Sequence, residues 1–313
     1  NLRAELAAVR LSSAIGRIVE IAGGMIDIAG LSQLARQGDR VVCNGLAGEV
    51  VQIRPATVTV LADGPPDGLA IGQAVELLGP ASLAPDNSWI GRIVDPYGAA
   101  LDGRPILRGP VTRDLQAAAP PAARRKPLGD RLSTGVAVFD TILPLVRGQR
   151  IGLFAGSGVG KSSLLAKFAR GVAADVVVIA LIGERGRELR EFAERVLGPA
   201  GMARSVIVAA TSDQSALTRR RCAWSAMAIA EHFRDQGRQV LLLADSVTRF
   251  AEAHREVALA AGEAAALRGY PPSLSQAIMG LAERAGPGAE GAGDITAVFS
   301  VLEIGRASCR ERV

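Results

Sequence analysis

Residues 155–163, AGSGVGKSS, follow the apolar run RIGLF and open the helix-like stretch KSSLLAKFARGVA. Glycines at 156, 158 and 160 let successive backbone N–H groups turn inward around an anion, and a helix start adds partial positive charge. Lys161 would then reach the β/γ-phosphates of a nucleotide, and the Ser162 hydroxyl would ligate Mg²⁺. The pattern is the P-loop form with one departure, Ala155 in place of the leading Gly. The candidate nucleotide-binding residues are Gly156, Ser157, Gly158, Val159, Gly160, Lys161, Ser162 and Ser163, with ATP and Mg²⁺ implied.

Two carboxylates extend this chemistry. Asp245 ends the strand-like run QVLLLAD, where a Walker-B aspartate would hold the metal through water, so Ser162 and Asp245 form the candidate metal set. Ser246 follows rather than Glu, so the acid that often sits next to Walker B is missing and another base must orient water. Glu184 in ALIGERGRE stands at the tip of the strand after the P-loop helix and is the candidate base. Arg185 would read the phosphates or hold Glu184. The spacing also permits a surface ion-pair cluster of Glu184, Arg185, Arg187 and Glu188. The candidate catalytic set is Lys161, Glu184, Arg185 and Asp245.

The elements that must carry these residues alternate from residue 149 onward. Strand runs QRIGLFAG, DVVVIALIG, SVIVAAT, QVLLLAD and ITAVFSVL are separated by helical stretches. Near-continuous Val/Ile/Leu strands joined by helices predict an α/β, RecA-like P-loop core with a predominantly parallel sheet, covered on both faces. Ligands bind such sheets beyond the carboxyl ends of the strands, where Glu184 and Asp245 lie. Upstream, 15–80 consists of short β-rich runs with Gly and Asp-Gly turns and predicts a small β-barrel. Residues 81–148, rich in Pro, Ala and Gly, read as linker and entry to the core, 149–302 as the core, and 1–14 as the remnant of a helix.

Composition narrows the function classes. The net charge is +5, with only three lysines, and Asp and Glu are spread throughout, short of a nucleic-acid signature. The runs RRK (124–126) and RRR (219–221) read as solvated faces. Cys43, Cys222 and Cys309 show no CxxC spacing, which fits reduced thiols and argues against a zinc site. His232 and His254 sit in helix-like stretches and read as structural. No apolar run approaches the ~18 residues of a membrane span. The chain opens at Asn1, as a fragment would, with no secretory signal.

Four ordered segments, GLFAGSGVGKSS, VIALIGERGRELREF, AEHFRDQGRQVLLLADSVTRFAEAHRE and RGYPPSLSQ, together resemble the rotary ATPase superfamily. Within it they are most similar to the ATPase of the bacterial flagellar export apparatus and its type III secretion relatives. The resemblance implies that Glu184 is the catalytic base, that Lys161 and Ser162 are the P-loop pair and that Asp245 is the Walker-B acid. Non-catalytic subunits of rotary synthases carry Gln where Glu184 stands, so Glu implies a hydrolysing subunit. GYPPS (269–273) matches a loop near the central channel, where a stalk protein makes contact; as bare sequence it is a Pro-fixed turn before a helix. Further implied are a homohexamer, a stator-like regulator, a membrane export gate, export substrates with their chaperones, and a cytoplasmic location peripheral to the inner membrane.

The same resemblance leads one to expect an acidic segment after Leu302, an arginine serving the neighbour's site, and a C-terminal helical domain, which is missing here. Instead EIGRASCRERV (303–313) resembles the translation of a short-read sequencing adapter, whose next triplet is a stop. Residues 303–313, Cys309 among them, are therefore expected to be an artefact, and the shortened chain to hydrolyse ATP poorly. The nearest alternative function is the ATPase of a virulence-type secretion system; a catalytic subunit of an ion-translocating ATP synthase is more distant. A transcription-terminator-type RNA motor would need aromatic platforms in its barrel, and residues 1–88 hold no Phe, Tyr or Trp. No nucleic-acid partner is expected.

Overall fold

The computed structural model describes residues 12–156 and 158–302. The expected N-terminal helix remnant, up to residue 11, and the expected artefact at 303–313 lie outside the described residues, as does Ser157 of the P-loop.

Six strands close the N-terminal barrel: β1 (Ala14–Ala22), β2 (Met25–Ala29), β3 (Arg40–Cys43), β4 (Leu46–Ile53), β5 (Thr57–Ala62) and β6 (Ala74–Gly79), in the order β1-β2-β5-β4-β3-β6. Every pairing is antiparallel. Asn44 and Gly45 both take positive φ (47° and 82°), the turn an Asn-Gly pair favours between right-twisted strands. Alternate residues point inward, and Ile18, Ile28, Val50, Val58, Val60 and Val75 fill the interior almost without exposure. A Cβ at Gly16 would stand 2.6 Å from Ile28 and 2.7 Å from the Ala29 carbonyl, so only glycine lets β1 and β2 approach this closely there.

The second sheet holds β7 (Arg92–Val94), β8 (Arg150–Ala155), β9 (Val176–Glu184), β10 (Ser205–Thr211), β11 (Val240–Asp245) and β12 (Asp294–Leu302), in the order β8-β12-β11-β9-β10-β7. These six pair in parallel, and Gly286–Pro287 adds a two-residue antiparallel strand beside β12. Val176, Val178, Ala180 and Ile182 pack on one face with Cys222, Met227 and Phe233; Val177, Ile179 and Leu181 pack on the other with Leu165 and Phe168. Both faces are dry, which is why β9 reads as an unbroken apolar run. The covering helices are α1 (Lys161–Gly171), α2 (Gly186–Glu191), α3 (Ala216–Arg234), α4 (Val247–Ala260) and α5 (Ser273–Arg284).

The linker-like zone does more than connect. Its three residues Arg92–Val94 form the outer strand β7 against β10. Arg92 is locked by two bonds to Asp102 (2.6 and 2.7 Å) and by the carbonyl of Pro105. Three residues are too few to show periodicity within a Pro/Gly-rich stretch.

One expectation fails outright at the seam between barrel and core. The RRR run is no solvated face, because Arg220 and Arg221 are buried. Arg220 pairs with Glu49 of the barrel at 2.5 Å, and Arg221 reaches the same carboxylate at 3.5 Å. Arg40 and Arg221 both stack on the Tyr97 ring, at 4.7 and 4.6 Å from its centre. Beside them Asp63, just past β5, accepts hydrogen bonds from Tyr97, from Ser215 at the N-cap of α3, and from Thr218 (2.8 Å). A local reading of the run lacks these partners, which come from Glu49 and Tyr97, far away in sequence. The RRK run is partly paired too: Arg125 meets Glu283 and Lys126 meets Asp294.

Asp63 is thus the acceptor that ties barrel to core. Asp63→Ala strands three hydroxyl donors and should destabilise the chain by about 1–3 kcal/mol, read by denaturant unfolding. Asp63→Asn, which keeps an acceptor oxygen, should lose less.

Candidate active site

The P-loop bridges the end of β8 and the start of α1. Gly158 and Gly160 hold φ of 74° and 89°, and a Cβ at either would meet no atom within 4 Å. Glycine is needed there for backbone conformation rather than for space. Gly160 is the N-cap of α1, and no side chain caps it. The first-turn N–H groups therefore lack intrahelical acceptors and face the loop, a ready anion cradle. Val159 stands exposed at the loop, and Ser162 and Ser163 are exposed on the first turn.

Lys161 turns to the end of β11, its Nζ 2.8 Å from Asp245 Oδ1. The same oxygen accepts a 2.6 Å hydrogen bond from the Ser300 hydroxyl of β12. Asp245 is only 3% exposed, so these two donors offset the cost of enclosing its charge. A cleft of about 260 Å³ opens at Asp245, its lining mixing the polar Ser162, Glu184, Glu188 and Glu191 with the apolar Leu181, Leu189, Phe192 and Val196.

Glu184 enters this cleft from the tip of β9. Its pairing with β10 slips between Ile182 and Glu184, and Gly183 takes φ 69°. Such a bulge re-aims the following side chain. Burial, the neighbouring Glu188 carboxyl and the charge of Asp245 push the Glu184 carboxyl up to about 7, with Lys161 opposing them. A second, polar cleft of about 460 Å³ on the other side of Glu184 is lined by Arg185, Arg219, Arg249 and Ser212. Arg185 is exposed and lies 3.8 Å from Glu188.

Ser162, Glu184 and Asp245 thus line one cleft, Lys161 is tied to it through Asp245, and Arg185 lines its polar neighbour. Both the base reading and the ion-pair reading of the GERGRE segment left out what Glu188 does here, which is to crowd Glu184. The i,i+4 spacing after a strand tip was the available signal. Ser300 also went unread, although it interrupts an apolar strand. Among the described residues, no group of three or more His, Cys, Asp or Glu could hold a metal. One hydroxyl and one carboxylate fit Mg²⁺, which keeps several waters and takes phosphate oxygens as further ligands.

Residues 135–306 match the family described as ATP synthase alpha/beta family, nucleotide-binding domain. The chain belongs to this family. Among curated members, it is 47% identical over 292 residues to the flagellum-specific ATP synthase of Agrobacterium fabrum, covering 92% of this chain and 62% of the relative. It is 42% identical over 309 residues to the type 3 secretion system ATPase of Xanthomonas euvesicatoria, covering 96% and 69%. Among solved structures it superposes on the assembled ATPase EscN of enteropathogenic E. coli in complex with its central stalk EscO. That match has a TM-score of 0.86 at 38% identity, covering 95% of this chain and 73% of EscN. The chain therefore spans less than two thirds of the length of the Agrobacterium family member. The match of family and fold supports an α/β core behind a closed barrel, as the sequence implies.

Glu184 holds its proton more tightly in the folded chain than at its ordinary value of 4.5. The stability it contributes is complete below that value and is lost as pH rises through about 7. In nucleotide-free protein, the melting temperature of Glu184→Gln should therefore fall less than wild type between about pH 5 and 8. Equal slopes would show that Glu184 is not the group titrating near 7.

Proposed function

We propose that this chain carries the phosphate-gripping half of an ATP hydrolysis site and works in flagellar protein export. The observation that carries the reading is a single cleft joining a P-loop lysine, a strand-end aspartate and a carboxyl of raised pKa. The P-loop amides and Lys161 bind the β- and γ-phosphates. Ser162 and Asp245 would hold Mg²⁺, which when bound supplies charge neutralisation across the phosphate oxygens. Glu184, once ionised, orients the attacking water and takes its proton. Arg185 reads the phosphate side from the polar cleft.

The flagellar reading leans on the 47% identity to the Agrobacterium relative; flagellum-specific relatives of Caulobacter and Bacillus, at 42% and 40%, stand no nearer than the Xanthomonas secretion ATPase at 42%. The likeness to assembled EscN bound to its central stalk EscO supports assembly of this chain into a homohexamer around a stalk. A neighbouring subunit would supply the remaining positive charge of the site. Stator-like regulator, export gate and chaperoned export substrates complete the reading, at the cytoplasmic face of the inner membrane. Among the described residues, no helix is long and apolar enough to cross a membrane.

Two variants of the full-length protein test the site. Lys161→Ala should weaken ATP binding, whereas Glu184→Gln should bind ATP and lose at least ~10²-fold in turnover. Wild-type kcat/KM for ATP should fall as pH drops through about 7, where Glu184 of the nucleotide-free enzyme takes up its proton. Near-normal turnover in Glu184→Gln would assign the base elsewhere. Unimpaired swimming with that substitution on the chromosome would overturn the flagellar assignment.

A further inference from the structure

Asp245 has two donors on one oxygen, and they differ in kind. Lys161 reaches it on a flexible four-carbon stem from α1. Ser300 is fully enclosed in β12, with no exposure, and donates over 2.6 Å. The register sets this contact. Ala244 of β11 stands opposite Phe299, so Ser300 is the next step along, beside Asp245, while its other neighbour is Leu153 of β8. A serine between Phe299 and Val301 weakens an apolar strand and gives it no packing advantage. The other hydroxyl of this strand, on Thr296, has a separate task, accepting from the Gly148 amide at 3.0 Å.

Lys161 has two calls on its ammonium in the reading above, Asp245 in the structure and the phosphates of a nucleotide. We propose that Ser300 is a positioning residue for the metal site. Its hydroxyl keeps hold of Asp245 Oδ1 when Lys161 turns to phosphate, so that Asp245 stays oriented toward the hydrated metal. The inference rests on the MgATP reading of the cleft. A donor fixed in a strand serves this purpose better than a second flexible chain, because it loses no rotamer freedom on holding the carboxylate.

The test uses the full-length protein with ADP as probe, which avoids turnover, and calorimetric binding in EDTA and across a MgCl₂ titration. Ser300→Ala should leave ADP affinity in EDTA unchanged and raise the Mg²⁺ concentration for half-maximal enhancement of binding about 10-fold. Ser300→Thr, which keeps the hydroxyl, should restore the wild-type Mg²⁺ requirement. Unchanged binding in EDTA also shows that the alanine variant is folded. An unshifted Mg²⁺ requirement in Ser300→Ala, or equal weakening with and without Mg²⁺, overturns the positioning role while leaving the ATP site intact. If wild type itself binds ADP no better with Mg²⁺ than in EDTA, the reading of the cleft fails, and this inference with it.

Discussion

A carboxylate enclosed at the centre of a parallel sheet organises the nucleotide cleft. Asp245 ends β11, with β12 on one side and β9 on the other; Ser300 of β12 bonds it, and its register partner on β9 is Leu181, three residues before the Glu184 tip. A charge so enclosed must be compensated, and the P-loop lysine does this at 2.8 Å. The lysine proposed to bind nucleotide phosphates is thus also the one that compensates Asp245. Glu184 is left at a disadvantage. Lys161 favours its ionised form, but burial, Glu188 and Asp245 oppose it, and the carboxyl rises to about 7.

The barrel reaches this cleft through α3. Asp63 grips the first turn of that helix, and Arg220 and Arg221 behind it are buried against Glu49 and Tyr97. Arg219, one residue before them, points the other way, pairs with Glu256 and lines the polar cleft beside Glu184. A paired buried arginine adds little net stability, but removing its partner is costly. Such contacts suit a seam that must keep one geometry. They hold α3 in a single register while the nucleotide cleft works at its far side.

The parallel core was legible because burial on both faces forces unbroken apolar strands, and two of those strands end in the candidate residues Glu184 and Asp245. The barrel was legible from its short β runs and turn glycines. β7 was not legible, since three residues in a proline-rich stretch carry no period. The buried arginines were misread because a charge run is a local pattern, while its fate is set by one carboxylate and one ring more than a hundred positions away, Glu49 and Tyr97. Lys161, Ser162 and Asp245 could be named from spacing alone. Glu184 as candidate base drew on the resemblance as well, and its raised pKa needed burial, Glu188 and Asp245 at their places in space. Ser300 shows the limit of pattern reading, since one polar residue in an apolar strand signals a partner without saying which.

The electrostatics of Glu184 bear on how such a site would be switched. In the nucleotide-free chain its carboxyl is poised near neutrality by two other carboxylates and by burial. Any positive charge entering the cleft lowers that pKa, and any further desolvation raises it. A base held at this balance is ionised by the arrival of a cation and weakened by its departure. In the proposed hexamer, the metal carried in with ATP and a guanidinium offered by a neighbour would both act in the same direction. Hydrolysis would then depend on assembly through the protonation of one glutamate as well as through stabilisation of the reacting phosphate.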